Sequence, residues 1–222
     1  MKKVYYLVTM LLFLLISSCQ EEKVYSCDPT VDKWVKNNLD DIQIMNRSSW
    51  KTLPEDLKGA TFGAFTAKQK ISFWEEKLTD VLTLDWNTEE REHIQKLYVM
   101  VKNHPEWFDI SNRTEAIEDE MAIAAYEWIK YAKETLQWDS KTLGAIVASG
   151  NDLVNKSGLL KISTNTYKQQ ISTRSEDSSC NCNQTYDFCS GVEDKCKDKT
   201  CKEVDYCGWL LLSKCNGLCG MS

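Results

Sequence analysis

Histidine is nearly missing from this chain: 222 residues hold two, His93 and His104, eleven positions apart. No HExxH run, GxSxG elbow or phosphate-binding glycine loop accompanies them, so zinc-protease, serine-hydrolase and P-loop chemistry have no motif to stand on. Basic patches are lacking too. With 27 Lys and Arg against 33 Asp and Glu, and a formal net charge of −6, nothing offers phosphates a positive face, which sets nucleic-acid binding aside. Strand signals are few before residue 154, and there is no internal repeat.

The acidic groups do not make up for the missing histidines. Glu90 and His93 form one ExxH, half of a di-iron signature whose second half is absent, so they read as a helix-surface pair. Glu118, Asp119 and Glu120 occupy consecutive helical positions, which point apart, and read as a solvated face. The sequence therefore offers no catalytic residue, no cofactor motif and no metal site. Trp34, Trp50, Trp74, Trp86, Trp107, Trp128 and Trp138 could suggest a carbohydrate platform, but they fall on or beside apolar stripes, where core packing is their expected use.

What is present begins with the leader. Lys2 and Lys3 precede a largely apolar run from Val4 to Ile16, too short to span a bilayer as a helix and suited to a secretory signal. Its end, LISSC, resembles a lipobox, in which Ser17 and Ser18 allow cleavage before an acylated Cys19. Residues 1–18 are then a signal peptide and 19–27 a lipidated tether, with the membrane as partner through the acyl chains. The QEEK that follows looks like the acidic signal that sends Bacteroidetes-type lipoproteins to the outer face of the outer membrane.

From Asp28 onward the pattern is helical. Apolar residues recur at threes and fours in four stripes: Val31 to Met45, Ile71 to Leu82, Ile94 to Val101, and Ile117 to Ala132. Thr66 with Gln69, and Asn87 with Glu90, have capping-box spacing, and Pro105 stops the third stripe. The expected fold class is mainly α: a helical domain over 28–153, a polar linker over 154–179 with a short strand near Leu159 to Ile162, and a small cysteine module over 180–222. The helical part is large enough to fold without staples.

Eight of the ten cysteines fall in that module: Cys180, Cys182, Cys189, Cys196, Cys201, Cys207, Cys215 and Cys219. Crowding of this kind in an exported chain means disulfides, which a segment with so few apolar side chains needs in order to fold. The pairing is not readable from spacing. Cys196, Cys201, Cys215 and Cys219, at intervals of 4, 13 and 3 residues, would suit a four-thiolate zinc site, but an oxidising compartment argues against it. Cys27 is left over and reads as a buried thiol beside Trp34.

Cys207 to Cys219, CGWLLLSKCNGLC, with the spaced cysteines before it, resembles the carboxy-terminal region of the bacteriocin fulvocin C-related proteins, Bacteroidetes lipoproteins named after a small disulfide-rich antibacterial peptide. Residues Cys27 to Trp50 and Phe73 to Trp86 are similar to the helical part of that family. The resemblance implies an antibacterial module on a helical carrier, acting on a target-cell envelope or receptor. A diffusing toxin would need a cut in the linker, for which Arg174 is the candidate. Trp209, Leu210, Leu211 and Leu212 are the candidate target or membrane contact, and equally the module's core or its dock onto the helices. The alternative function is a non-toxic surface-binding or structural lipoprotein whose module is a stapled cap or ligand-binding knob.

Overall fold

The computed structural model of the protein describes residues 23–162, 180–186, 188–189, 194–199 and 204–221. Cys19, Cys201, Arg174 and residues 163–179 of the expected linker lie outside them.

The fold is mainly α, as the stripes predict. Among the described residues eight helices run in order: α1 (Pro29–Asn37), α2 (Leu39–Gln43), α3 (Arg47–Lys51), α4 (Glu55–Ala64), α5 (Ala67–Leu82), α6 (Thr88–Asn103), α7 (Glu115–Glu134) and α8 (Ser140–Val147). Their starts are chemically explicit. Asp28 accepts hydrogen bonds from the Thr30 and Val31 amides at 2.8 and 3.2 Å, with Pro29 preset for the first turn. Both expected capping boxes form, Thr66 with Gln69 on α5 and Asn87 with Glu90 on α6. The Gln69 amide also donates to the Ile42 and Met45 carbonyls at 2.7 and 3.0 Å, tying the end of α2 to the start of α5. Pro105 ends α6 and opens a 3-10 turn, Pro105–Phe108.

Two departures from the stripes have physical causes. The first stripe is broken at Asn38, whose amide side chain donates to the Trp34 carbonyl at 2.7 Å and separates α1 from α2. Helix α4 has no stripe to announce it, because Gly59 and Gly63 interrupt its sequence.

One core runs through the helices. Trp50, Phe62, Phe65, Phe73 and Trp74 pack edge to face at its centre, and Trp86, Trp128 and Trp138 form a second aromatic group beside His93. Six of the seven tryptophans of the helical region are buried and Trp34 is partly so, which is the core use expected of them. A two-stranded hairpin, β1 (Asp152–Leu153) with β2 (Leu160–Lys161), follows α8. In the module, β3 (Asp194–Asp198) pairs antiparallel with β6 (Gly217–Met221), and β4 (Asp205–Cys207) with β5 (Ser213–Lys214). No helix among the described residues is long and apolar enough to cross a membrane.

Candidate functional site

The module is stapled through its strands. Cys182 bonds Cys196, Cys189 bonds Cys219 and Cys207 bonds Cys215, with Cα atoms 5.9, 5.5 and 5.2 Å apart. Cys180 is disulfide-bonded as well. Because Cys196, Cys215 and Cys219 sit in separate disulfides, they supply no thiolates, and the zinc alternative for these cysteines falls. Each bridge fixes a loop whose freedom in the unfolded chain would otherwise cost about 2–4 kcal/mol. Cys27 is buried outside these bridges and packs with Cys180, Val204, Cys207 and Cys215 of the module.

The apolar ridge faces inward. Trp209, Leu210 and Leu212 have no exposed surface, Leu211 is half-buried, and the first three belong to the helical core. As folded, therefore, the ridge is not an exposed target or membrane contact; of the uses its sequence allows, docking onto the helices is the one its contacts show. Its shape is forced: Gly208, Leu210 and Leu211 have φ of 67°, 52° and 56°. For a leucine the left-handed region costs about 1–2 kcal/mol. Burying three large side chains returns roughly 1.5–3 kcal/mol apiece, so the contorted turn is favourable only while it stays docked. Two hydrogen bonds fix it to the helices, from the Trp74 indole to the Leu210 carbonyl at 2.8 Å and from Arg113 to the Leu212 carbonyl at 3.0 Å. Trp209 also meets Trp128 edge to face, with ring centres 5.3 Å apart.

Aromatic pegs flank the ridge, and each finds a helical glycine. Tyr206 lies on Gly59 and Gly63 of α4: a Cβ at Gly59 would come within 2.7 Å of its ring, and one at Gly63 within 3.5 Å. Phe188 lies on Gly144 of α8, where a Cβ would sit 3.3 Å from its own. Burial pushes the Tyr206 phenol up to about 12. The i, i+4 glycines that weaken α4 as a helix thus form a flat notch for the module.

Beside this dock lies an open cleft of about 590 Å³ between helices and module, a size that suits a small ligand. Its lining mixes polar Glu55, Lys58 and Asn151 with apolar Trp50, Leu160, Phe188 and Leu218. A cationic clamp holds the polar side. Lys58 donates to Glu55 at 2.5 Å and to the Asn151 side chain at 2.7 Å, and its ammonium lies 5.1 Å from the centre of the Trp50 ring. Lys77, wholly buried, donates to the Asn151 carbonyl, and burial pulls its ammonium down to about 7. Arg47 spans the Gly150 carbonyl at 3.0 Å, Asp80 at 2.6 Å and Asp152 at 2.6 Å. Three basic side chains from three helices therefore fix the 150–152 strand entry that forms one edge of the cleft.

Glu90 caps α6 and pairs with Lys156 at 2.6 Å. His93 is buried rather than on the helix surface, which corrects the sequence reading of that pair. Its Nε2 lies 3.0 Å from the Trp128 carbonyl, its ring stacks between Trp128 and Tyr131, and burial pulls it down to about 4. A neutral ring so enclosed is a core group. The docking residues missed in the sequence are Gly59, Gly63, Gly144, Tyr206 and Phe188; paired glycines inside an otherwise helical segment were the available signal.

No family model matches the chain, and no curated protein or solved structure matches it either.

Proposed function

We propose that the protein is an exported lipoprotein, anchored at the cell envelope through Cys19, in which the disulfide module is a cap on the helical domain and the cleft along their seam takes a small ligand. The leader and lipobox support the export and anchoring, and the disulfides accord with an oxidising compartment. The observation that carries the reading is the complete burial of Trp209, Leu210 and Leu212 in the helical core. A released antibacterial module, as the resemblance implies, would have to expose these side chains and leave the hole they fill. Burial of that size opposes release, so the cap takes precedence over the diffusing toxin.

The test is intact mass spectrometry, without reduction, of the protein from its native cells and from the culture medium. The cap predicts a full-length acylated species in the cells and no cysteine-rich fragment in the medium at any growth stage. A carboxy-terminal fragment beginning near Ser175 in the medium would restore the toxin.

A further inference from the structure

Two groups of three potential ligand atoms lie within 4.8 Å of one another among the described residues. One consists of Cys182, Cys189 and Cys219, whose sulfurs are spent in disulfides. The other is His104, Glu106 and Glu120. We propose that these three side chains form a binding site for a divalent transition-metal ion, with zinc the ion their donors suit best.

The geometry converges on one ring nitrogen. His104 Nδ1 lies 2.9 Å from a Glu106 carboxylate oxygen and 3.1 Å from a Glu120 oxygen. A neutral imidazole has a single N–H, so Nδ1 can satisfy one of these acceptors and leaves the other facing a nitrogen and a second carboxylate. A cation at the centre would satisfy the nitrogen lone pair and both carboxylates at once. Zinc bonds of about 2.0–2.1 Å to nitrogen and 2.0–2.2 Å to oxygen place neighbouring tetrahedral ligands about 3.4 Å apart, so the carboxylates, at 2.9 and 3.1 Å from the nitrogen, need to open by only a few tenths of an ångström to admit the ion. One nitrogen and two carboxylates match a borderline metal better than calcium or magnesium, which prefer oxygen alone.

The site is also built to hold its shape. The His104 ring stacks on Trp107 with centres 4.3 Å apart and planes at 15°, and Trp107 is buried. Pro105 fixes the turn that carries Glu106, and Glu120 comes from the second turn of α7. All three ligands keep a solvent-facing side, with 33%, 39% and 52% of their side-chain surface exposed, which leaves room for water to complete the coordination. Glu120 belongs to the acidic run read above as a solvated face; one member of that run turns to His104 instead.

Calorimetric titration of the oxidised mature chain with zinc chloride tests the assignment. One equivalent should bind, and His104→Ala and Glu120→Gln should each weaken binding by more than about tenfold, since loss of even a supporting residue costs that much. Glu127→Gln, on an exposed position of the same helix, should bind as the parent does. Because His93 is buried, the exposed-imidazole proton signals in NMR belong to His104, and zinc should shift or broaden them. No binding below millimolar zinc, unperturbed His104 signals, or full affinity in either ligand variant would overturn the proposal.

Discussion

Gly59→Ala should destabilise a helix that propensity says it ought to strengthen. In the middle of α4 the change from glycine to alanine is worth about 0.8–1.0 kcal/mol in favour of the folded helix. The new methyl, however, would stand 2.7 and 2.8 Å from two carbons of the Tyr206 ring. Carbon atoms prefer roughly 3.5–4.0 Å, and the ring is wedged between α4 and the module, so something must shift. Overpacking of this kind costs about 1–3 kcal/mol. The net expectation is a loss of up to about 2 kcal/mol. In a Tyr206→Ala background the clash disappears and the same substitution should stabilise by about 1 kcal/mol. Urea unfolding of the four oxidised proteins, followed by circular dichroism, gives the coupling, expected at about 1–3 kcal/mol. A Gly59→Ala protein as stable as its parent, with no coupling to Tyr206, would mean that the module does not rest on α4.

Three further outcomes follow from the same contacts. Trp209→Ala should cost about 3–5 kcal/mol in urea unfolding, slightly offset because the indole N–H has no hydrogen-bond partner among the described residues. Arg47→Met should cost about 2–3 kcal/mol, below the value for a fully buried pair because Asp80 and Asp152 keep 53% and 30% of their side-chain surface exposed. His93 is held neutral in the fold with a value near 4 against an ordinary 6.5, so the unfolded chain binds the proton first as pH falls. Its contribution is complete above pH 6.5 and is lost on acidification toward pH 4, on the order of 3 kcal/mol, and urea midpoints across that window should flatten in His93→Gln.

Local chemistry was legible and long-range packing was not. Thr66 with Gln69 and Asn87 with Glu90 are readable because a capping box is completed within four residues. The stripes around Trp74, Ile94 and Trp128 are readable because burial of one helical face imposes a period. Helix α4 was missed for the opposite reason: its glycines answer to Tyr206, well over a hundred residues away, and no local rule explains them. The disulfide partners and the direction of the ridge depend likewise on how distant strands meet. CGWLLLSKC raises the question of where its apolar residues go, and only the contacts with Trp74, Arg113 and Trp128 answer it. The meeting of His104 with Glu120 is of the same kind, since it depends on the turn between α6 and α7.

The central claim is that the module is held on the helices by packing and hydrogen bonds, since the three described bridges all lie within it. A specific protease site placed between residues 163 and 179, cut without reduction, followed by size-exclusion chromatography in native buffer, tests it most directly. The account predicts that the two fragments elute together as one folded body and separate only in denaturant. Separate elution in native buffer, with a still-folded helical fragment, would contradict it and make the module an independent unit.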